Sequence, residues 1–131
     1  MNIGVLEDNP TICEYLKTAL EMIGEHHVSI HNQGASLLEK LFAEHHSSVP
    51  LSYDLVLVDL RLPGGMSGQE VIAAIQKTIP HDLLSIIVLS AAGADELEYV
   101  RTTFNVPVLR KPFKIQTLLQ LINICSVKQK V

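Results

Sequence analysis

Hydrophobic and polar positions fall in blocks along this chain, and the blocks switch between two kinds of pattern. "NIGVLE", residues 2–7, is a short apolar run and predicts a first strand. In "DNP", Asn9 stands in N-cap position and Pro10 at the first helical position, where a missing N–H costs nothing. Ile12, Leu16, Leu20 and Ile23 then recur at helical spacing, and Gly24 ends the pattern. "HHVSIHN" is a more polar strand, as an edge strand can be, and "ASLLEKLFAEHH" is a second helix. "YDLVLVDL" is a third strand and "SGQEVIAAIQKT" a third helix, with Ser67 and Glu70 in capping-box spacing. "LSIIVLS", "DELEYVRTTF", "VPVLR" and "KIQTLLQLINIC" supply the fourth and fifth strand–helix pairs.

The third and fourth strands are apolar throughout, without alternation. Such strands are buried on both faces, so the pattern predicts an α/β fold: a five-stranded parallel sheet flanked by five helices. For an open sheet of this size the flavodoxin-like strand order 2-1-3-4-5 is the natural expectation.

The residues that end the strands are polar. Strand one ends in Glu7 and Asp8, strand three in Asp59, strand four in Ser90, and strand five runs into Lys111. In a parallel sheet these ends share one edge, and ligands bind there, where the strand order reverses. Order 2-1-3-4-5 puts that point between strands one and three, which makes neighbours of Glu7, Asp8 and Asp59. Three carboxylates in a partly desolvated cleft repel one another unless something compensates. Mg²⁺, a hard cation that takes oxygen ligands and shares them with phosphate, fits that need. Lys111 adds a positive charge on a long stem, and Ser90 adds a hydroxyl. A carboxylate set among a metal, a lysine and a hydroxyl is an arrangement for accepting a phosphoryl group.

Composition narrows the field. At 131 residues and 47% apolar, the chain makes one domain with one substantial core. Its net charge of −4 leaves no electrostatic footprint for nucleic acid. Its apolar runs are too short to span a bilayer, and "MNIGVLEDNP" is no secretory leader, so a cytoplasmic protein is expected. Cys13 and Cys125 lie in apolar helical patterns and read as small buried hydrophobes. The histidine pairs 26–27 and 45–46 read as surface residues, because adjacent side chains on a helix or strand face apart.

Four pieces together, "LEDNP", "DLVLVDLRLPGGMSG", "VLSA" and "LRKPF", resemble the receiver domain of bacterial two-component response regulators, and the resemblance covers nearly the whole chain. It implies that Asp59 takes a phosphoryl group from a sensor histidine kinase or a phosphotransfer protein. It implies Asp8 as a direct Mg²⁺ ligand, Glu7 acting through water, and the main-chain carbonyl of Arg61 completing the protein ligands. Ser90 would follow the phosphoryl oxygen, Lys111 would pair with phosphate, and the Lys111–Pro112 bond is expected to be cis. Residues 1–126 would form the receiver and residues 127–131 a tail or the start of a linker. An effector domain or target protein would read the state of the switch, with a homodimer left open.

The chain departs from the family pattern twice. Val108 stands where an aromatic residue is usual, three residues before the lysine, and the loop from Pro63 to Gly68 is one residue longer than the commonest form. A stiff β-branched valine has no ring to swing, so signalling through strand five is expected to be muted. Two other classes compete with a phosphorylated switch. A pseudo-receiver would bind partners without being phosphorylated, but the intact set Glu7, Asp8, Asp59, Ser90 and Lys111 speaks against it. An aspartate-nucleophile phosphatase would carry a second aspartate where Arg61 stands, and a flavodoxin would carry aromatic flavin-stacking loops, whereas this chain has no Trp.

Overall fold

A computed structural model describes the backbone of residues 1–130 and the side chains of residues 1–126. Strand and helix alternate five times: β1 (Asn2–Leu6), α1 (Pro10–Met22), β2 (His27–His31), α2 (Gly34–His46), β3 (Leu55–Val58), α3 (Gly68–Thr78), β4 (Ser85–Ser90), α4 (Ala94–Phe104), β5 (Val108–Arg110) and α5 (Ile115–Lys130). The five strands form one sheet in the order β2-β1-β3-β4-β5, every pair parallel. The flavodoxin-like order expected from the pattern is the one observed.

The unbroken apolar run of β3 is explained by its two faces. Leu55 and Leu57 point to one side, where they pack with Ile3, Val5, Leu16, Leu20, Leu118 and Ile122 beneath α1 and α5. Val56 and Val58 point to the other, among Leu37, Leu41, Val71, Ile72, Ile75 and Val100 beneath α2, α3 and α4. Successive strand residues face opposite ways, so a strand covered on both sides needs an apolar residue at every position.

The helix starts follow their caps. The Asn9 side chain accepts from the amides of Thr11 and Ile12, with Pro10 opening α1, and Ser67 and Glu70 close a full capping box at α3. At the other end of α1 the pattern breaks earlier than its apolar spacing suggests: Ile23 caps the helix and is 63% exposed. β3 is also shorter than "YDLVLVDL". Asp59 and Leu60 lie beyond its last ladder pair, and Tyr53 before it packs into the core. Both cysteines are buried, and neither is part of a disulfide. The expected tail, residues 127–131, lies outside the residues whose side chains are described. No helix among the described residues is long and apolar enough to cross a membrane.

Candidate functional site

Register places the site. Leu6 pairs with Val58, Val58 with Val88, and Ser90 with Arg110. The residues just past these pairs therefore meet on the edge formed by the strands' C-terminal ends. Main-chain hydrogen bonds extend the ladder by one step to fix them. The Glu7 amide donates to the His31 carbonyl at 3.1 Å, that of Asp59 to the Leu6 carbonyl at 3.1 Å, and that of Lys111 to the Ser90 carbonyl at 2.9 Å.

Carboxylate oxygens of Glu7, Asp8 and Asp59 all lie within 4.8 Å of one another. Glu7 and Asp59 are buried and Asp8 is half-buried. Lys111 reaches into the cluster, its Nζ 2.6 Å from Glu7 Oε2 and 3.1 Å from Asp59 Oδ2. Burial pulls the lysine's pKa down, but the hydrogen bond to Glu7 and the charges of Asp59 and Glu7 outweigh it and hold the ammonium above its ordinary value. Glu7 is pushed up, first by burial and in part by the charge of Asp59, against the pull of Lys111 and the Asn9 amide. The two partners are thus affected oppositely: the lysine is held charged while burial strains the charge on Glu7. One ammonium faces two carboxylates, and that keeps the lysine charged.

The other oxygen of Asp59 is also held. Its Oδ1 accepts the Arg61 amide at 3.1 Å. Ser90 is fully buried at the end of β4, and its Oγ accepts the Ala92 amide at 3.2 Å. Among the described residues no buried side-chain nitrogen or oxygen lacks a hydrogen-bond partner. The Lys111–Pro112 peptide is cis, as expected.

The donor set suits a hard divalent cation. It is all oxygen, it carries three negative charges, and its atoms are close enough to share one ion. The Arg61 main chain lies on the same rim, tied to Asp59 through its amide.

Two features had no signal in the sequence pattern. A Cβ added at Gly68 would lie 2.3 Å from the Asp59 carbonyl oxygen, so the bare glycine lets the start of α3 pack directly against the backbone of the central aspartate. The Arg61 side chain turns away from the carboxylates, and its Nη2 meets Glu96 Oε2 in the first turn of α4 at 2.5 Å. The loop after β3 contains Gly64 and Gly65, both left-handed at φ +65° and +60°, a conformation that glycine adopts without strain.

Comparison with known proteins finds the same fold. The family model described as response regulator receiver domain matches residues 3–123. A response regulator receiver domain protein from Clostridium thermocellum superposes with a TM-score of 0.81 at 28% identity, covering 98% of this chain and 96% of that one. The response regulator TrrA of Thermotoga maritima, solved in complex with Mg²⁺-BeF, gives a TM-score of 0.77 at 28% identity over 95% of this chain and 97% of that one. The receiver domain of a Francisella response regulator shares the fold at 22% identity, with a TM-score of 0.80 over 97% of each chain. No curated protein matches the chain.

Proposed function

The chain belongs to the response regulator receiver domain family, and from that premise we propose that it is a phosphoryl-accepting signalling switch with Asp59 as the acceptor. One observation carries this reading above the others. Asp59 sits buried at the centre of the sheet edge, within 4.8 Å of two further carboxylates and 3.1 Å from a lysine ammonium.

In the proposed reaction an Asp59 carboxylate oxygen attacks the phosphorus of a phosphohistidine. A P–O bond forms, the P–N bond breaks, and the imidazole leaves and takes up a proton. The aspartate becomes an acyl phosphate. Lys111, held charged, pairs with an oxygen of the arriving group and gives up part of its contact with Asp59 to do so. Ser90 offers its hydroxyl to a second oxygen. The backbone ladder at Leu6 and the close approach of Gly68 keep the nucleophile in place, so little reorganisation accompanies the attack. Asp8, Asp59 and the Arg61 carbonyl would hold Mg²⁺, with Glu7 behind them. When bound, that ion neutralises charge on the transferring group. The phosphodonor on this reading is a sensor histidine kinase or phosphotransfer protein in the cytoplasm, and an effector or target protein reads the result.

Incubation with Mg²⁺ and acetyl phosphate should add one acid-stable, base-labile phosphoryl group, detected by intact mass. Asp59→Asn should take up none. Equal labelling of Asp59→Asn would overturn the assignment, and a folded native chain that takes up none would favour the pseudo-receiver.

A further inference from the structure

The loop that follows Asp59 is tied to α4 by one acidic residue. Both carboxylate oxygens of Glu96 are occupied by groups from the β3–α3 segment. Oε2 accepts from Arg61 Nη2 at 2.5 Å, and Oε1 accepts from Gln69 Nε2 at 3.2 Å. Arg61 lies two residues past Asp59, and Gln69 is the second residue of α3. Glu96 itself lies in the first turn of α4.

α4 as a whole is anchored less deeply than the other helices beside it. It buries Leu97 and Val100, where α1, α2 and α3 each bury four residues. It starts at Gly93 with no side-chain cap, while Asn9 and Ser67 cap α1 and α3. The segment leading into it is fixed by the Ala92 amide on the Ser90 hydroxyl. The start of α4 is therefore held by buried Ala92 and Leu97 and by two polar tethers, one at Ser90 and one at Glu96.

We propose that Arg61, Gln69 and Glu96 form a latch through which the state of Asp59 is passed to the first turn of α4. The inference rests on the phosphoryl-acceptor reading of Asp59 and adds the route by which that site is read out. The Arg61 amide stays with Asp59 while its guanidinium is held by Glu96. A phosphoryl group on Asp59 brings new anionic oxygens to within reach of the same residue. Arginine binds phosphate in a planar, two-point geometry, and its long, 64%-exposed side chain is free to change partner. Phosphorylation draws Arg61 off Glu96. Glu96 keeps Gln69 alone, and the first turn of α4 loosens. This route needs no ring on β5, so it operates with Val108 in place.

Backbone amide shifts test the latch, using Mg²⁺ with beryllofluoride as the probe. In the native chain the probe should move residues 59–62, 90–92 and 94–98. Glu96→Gln is close to isosteric, at a side chain 30% exposed. It should leave acetyl phosphate labelling intact and the shifts at 59–62 in place. Without the probe its 94–98 amides should already lie toward the probe-bound positions of the native chain. The further change on adding beryllofluoride should fall to less than about half, since a ligand shifts an equilibrium only through contacts that differ between the two states. In an Arg61→Ala background Glu96→Gln should have no further effect on residues 94–98. A Glu96 that merely supports its own helix would act equally in both backgrounds, and that result overturns the latch. So does an unchanged 94–98 response in Glu96→Gln alongside normal shifts at 59–62. A native chain with no response to beryllofluoride anywhere overturns the proposed function and the latch with it.

Discussion

The β1–β3 part of the sheet and the α4–β5 part are held very differently. All four residues of β3 are at most 1% exposed, and β1 buries four of its five. None of the three residues of β5 is buried. α3 carries a complete capping box and four buried residues, while α4 has an uncapped start and two. Both regions border the same carboxylate cluster, so the asymmetry separates two jobs. Carboxylates that repel one another must be fixed by their backbone, and β1 and β3 fix them. A segment that answers to chemistry must have a low cost of rearrangement, and weakly buried elements supply it.

Truncating one leucine on each side is the strongest way to break this contrast. Leu57 lies inside β3 at 1% exposure, and Leu109 lies half-buried on β5. Leu57→Ala should cost about 3–4 kcal/mol, transfer and cavity terms together. Leu109→Ala should cost less than about 1.5 kcal/mol, because less apolar surface is lost from the core. Urea unfolding gives both values. Equal losses would show that the two regions are anchored alike.

The held part is also the part that could be read in the sequence. Local patterns carry it: continuous apolar runs at β3 and β4, Asn9 before Pro10, Ser67 three residues before Glu70, and polar residues at the strand ends. With the strand order expected for an open parallel sheet of this size, they bring Glu7, Asp8, Asp59, Ser90 and Lys111 to one edge. The loosely held part has no such signal. Arg61 and Glu96 are 35 residues apart and meet through packing of loop on helix. The family resemblance implies a main-chain role for Arg61 beside Asp59, but nothing local says where its side chain goes. Gly68 is similar: the pattern reads it only as the junction of the Pro63–Gly68 loop and the third helix, and the close approach to the Asp59 carbonyl needs the folded backbone to be seen. Ile23 fits the helical period of α1 yet lies outside the helix, because apolar spacing does not mark where backbone bonding stops.

Within the held region a smaller effect separates backbone strength from charge. Three carboxylates face one ammonium, so removing a negative charge should stabilise the metal-free protein. Asp8 is the one to remove, since Lys111 bonds the other two. Asp8→Asn should raise metal-free stability by about 1 kcal/mol, a modest gain because the group is half-exposed and screened. It should also weaken Mg²⁺ binding, measured by titration of the metal. Unchanged Mg²⁺ affinity would remove Asp8 from the ligand set, and unchanged stability would mean that the cluster carries no net repulsion.

The smallest expected effect concerns the outer edge of the same region. The carbonyl of His31 accepts the Glu7 amide, so the end of β2 forms part of the site's support. The His31 ring is half-buried, with Nε2 2.7 Å from the Tyr53 hydroxyl and Nδ1 3.1 Å from Ser36 Oγ. Burial lowers its pKa, and the Lys40 ammonium lowers it further. An unfolded histidine takes up its proton near about pH 6.5, and the folded one resists until a lower pH. This contribution to stability is therefore complete above about pH 6.5 and is lost as pH falls through the folded-state value. His26 acts with the same sign, through burial and the neighbouring N-terminal amine. Melting temperatures between pH 7.5 and about pH 5 should fall, by more than the α4–β5 region can account for, since neither histidine lies there. His31→Gln cannot take up a proton, so it should flatten part of that fall and leave the part due to His26. An unaltered slope in His31→Gln would assign the acid sensitivity elsewhere. A slope lost entirely would make His31, and not His26, its whole source at the edge that supports Glu7.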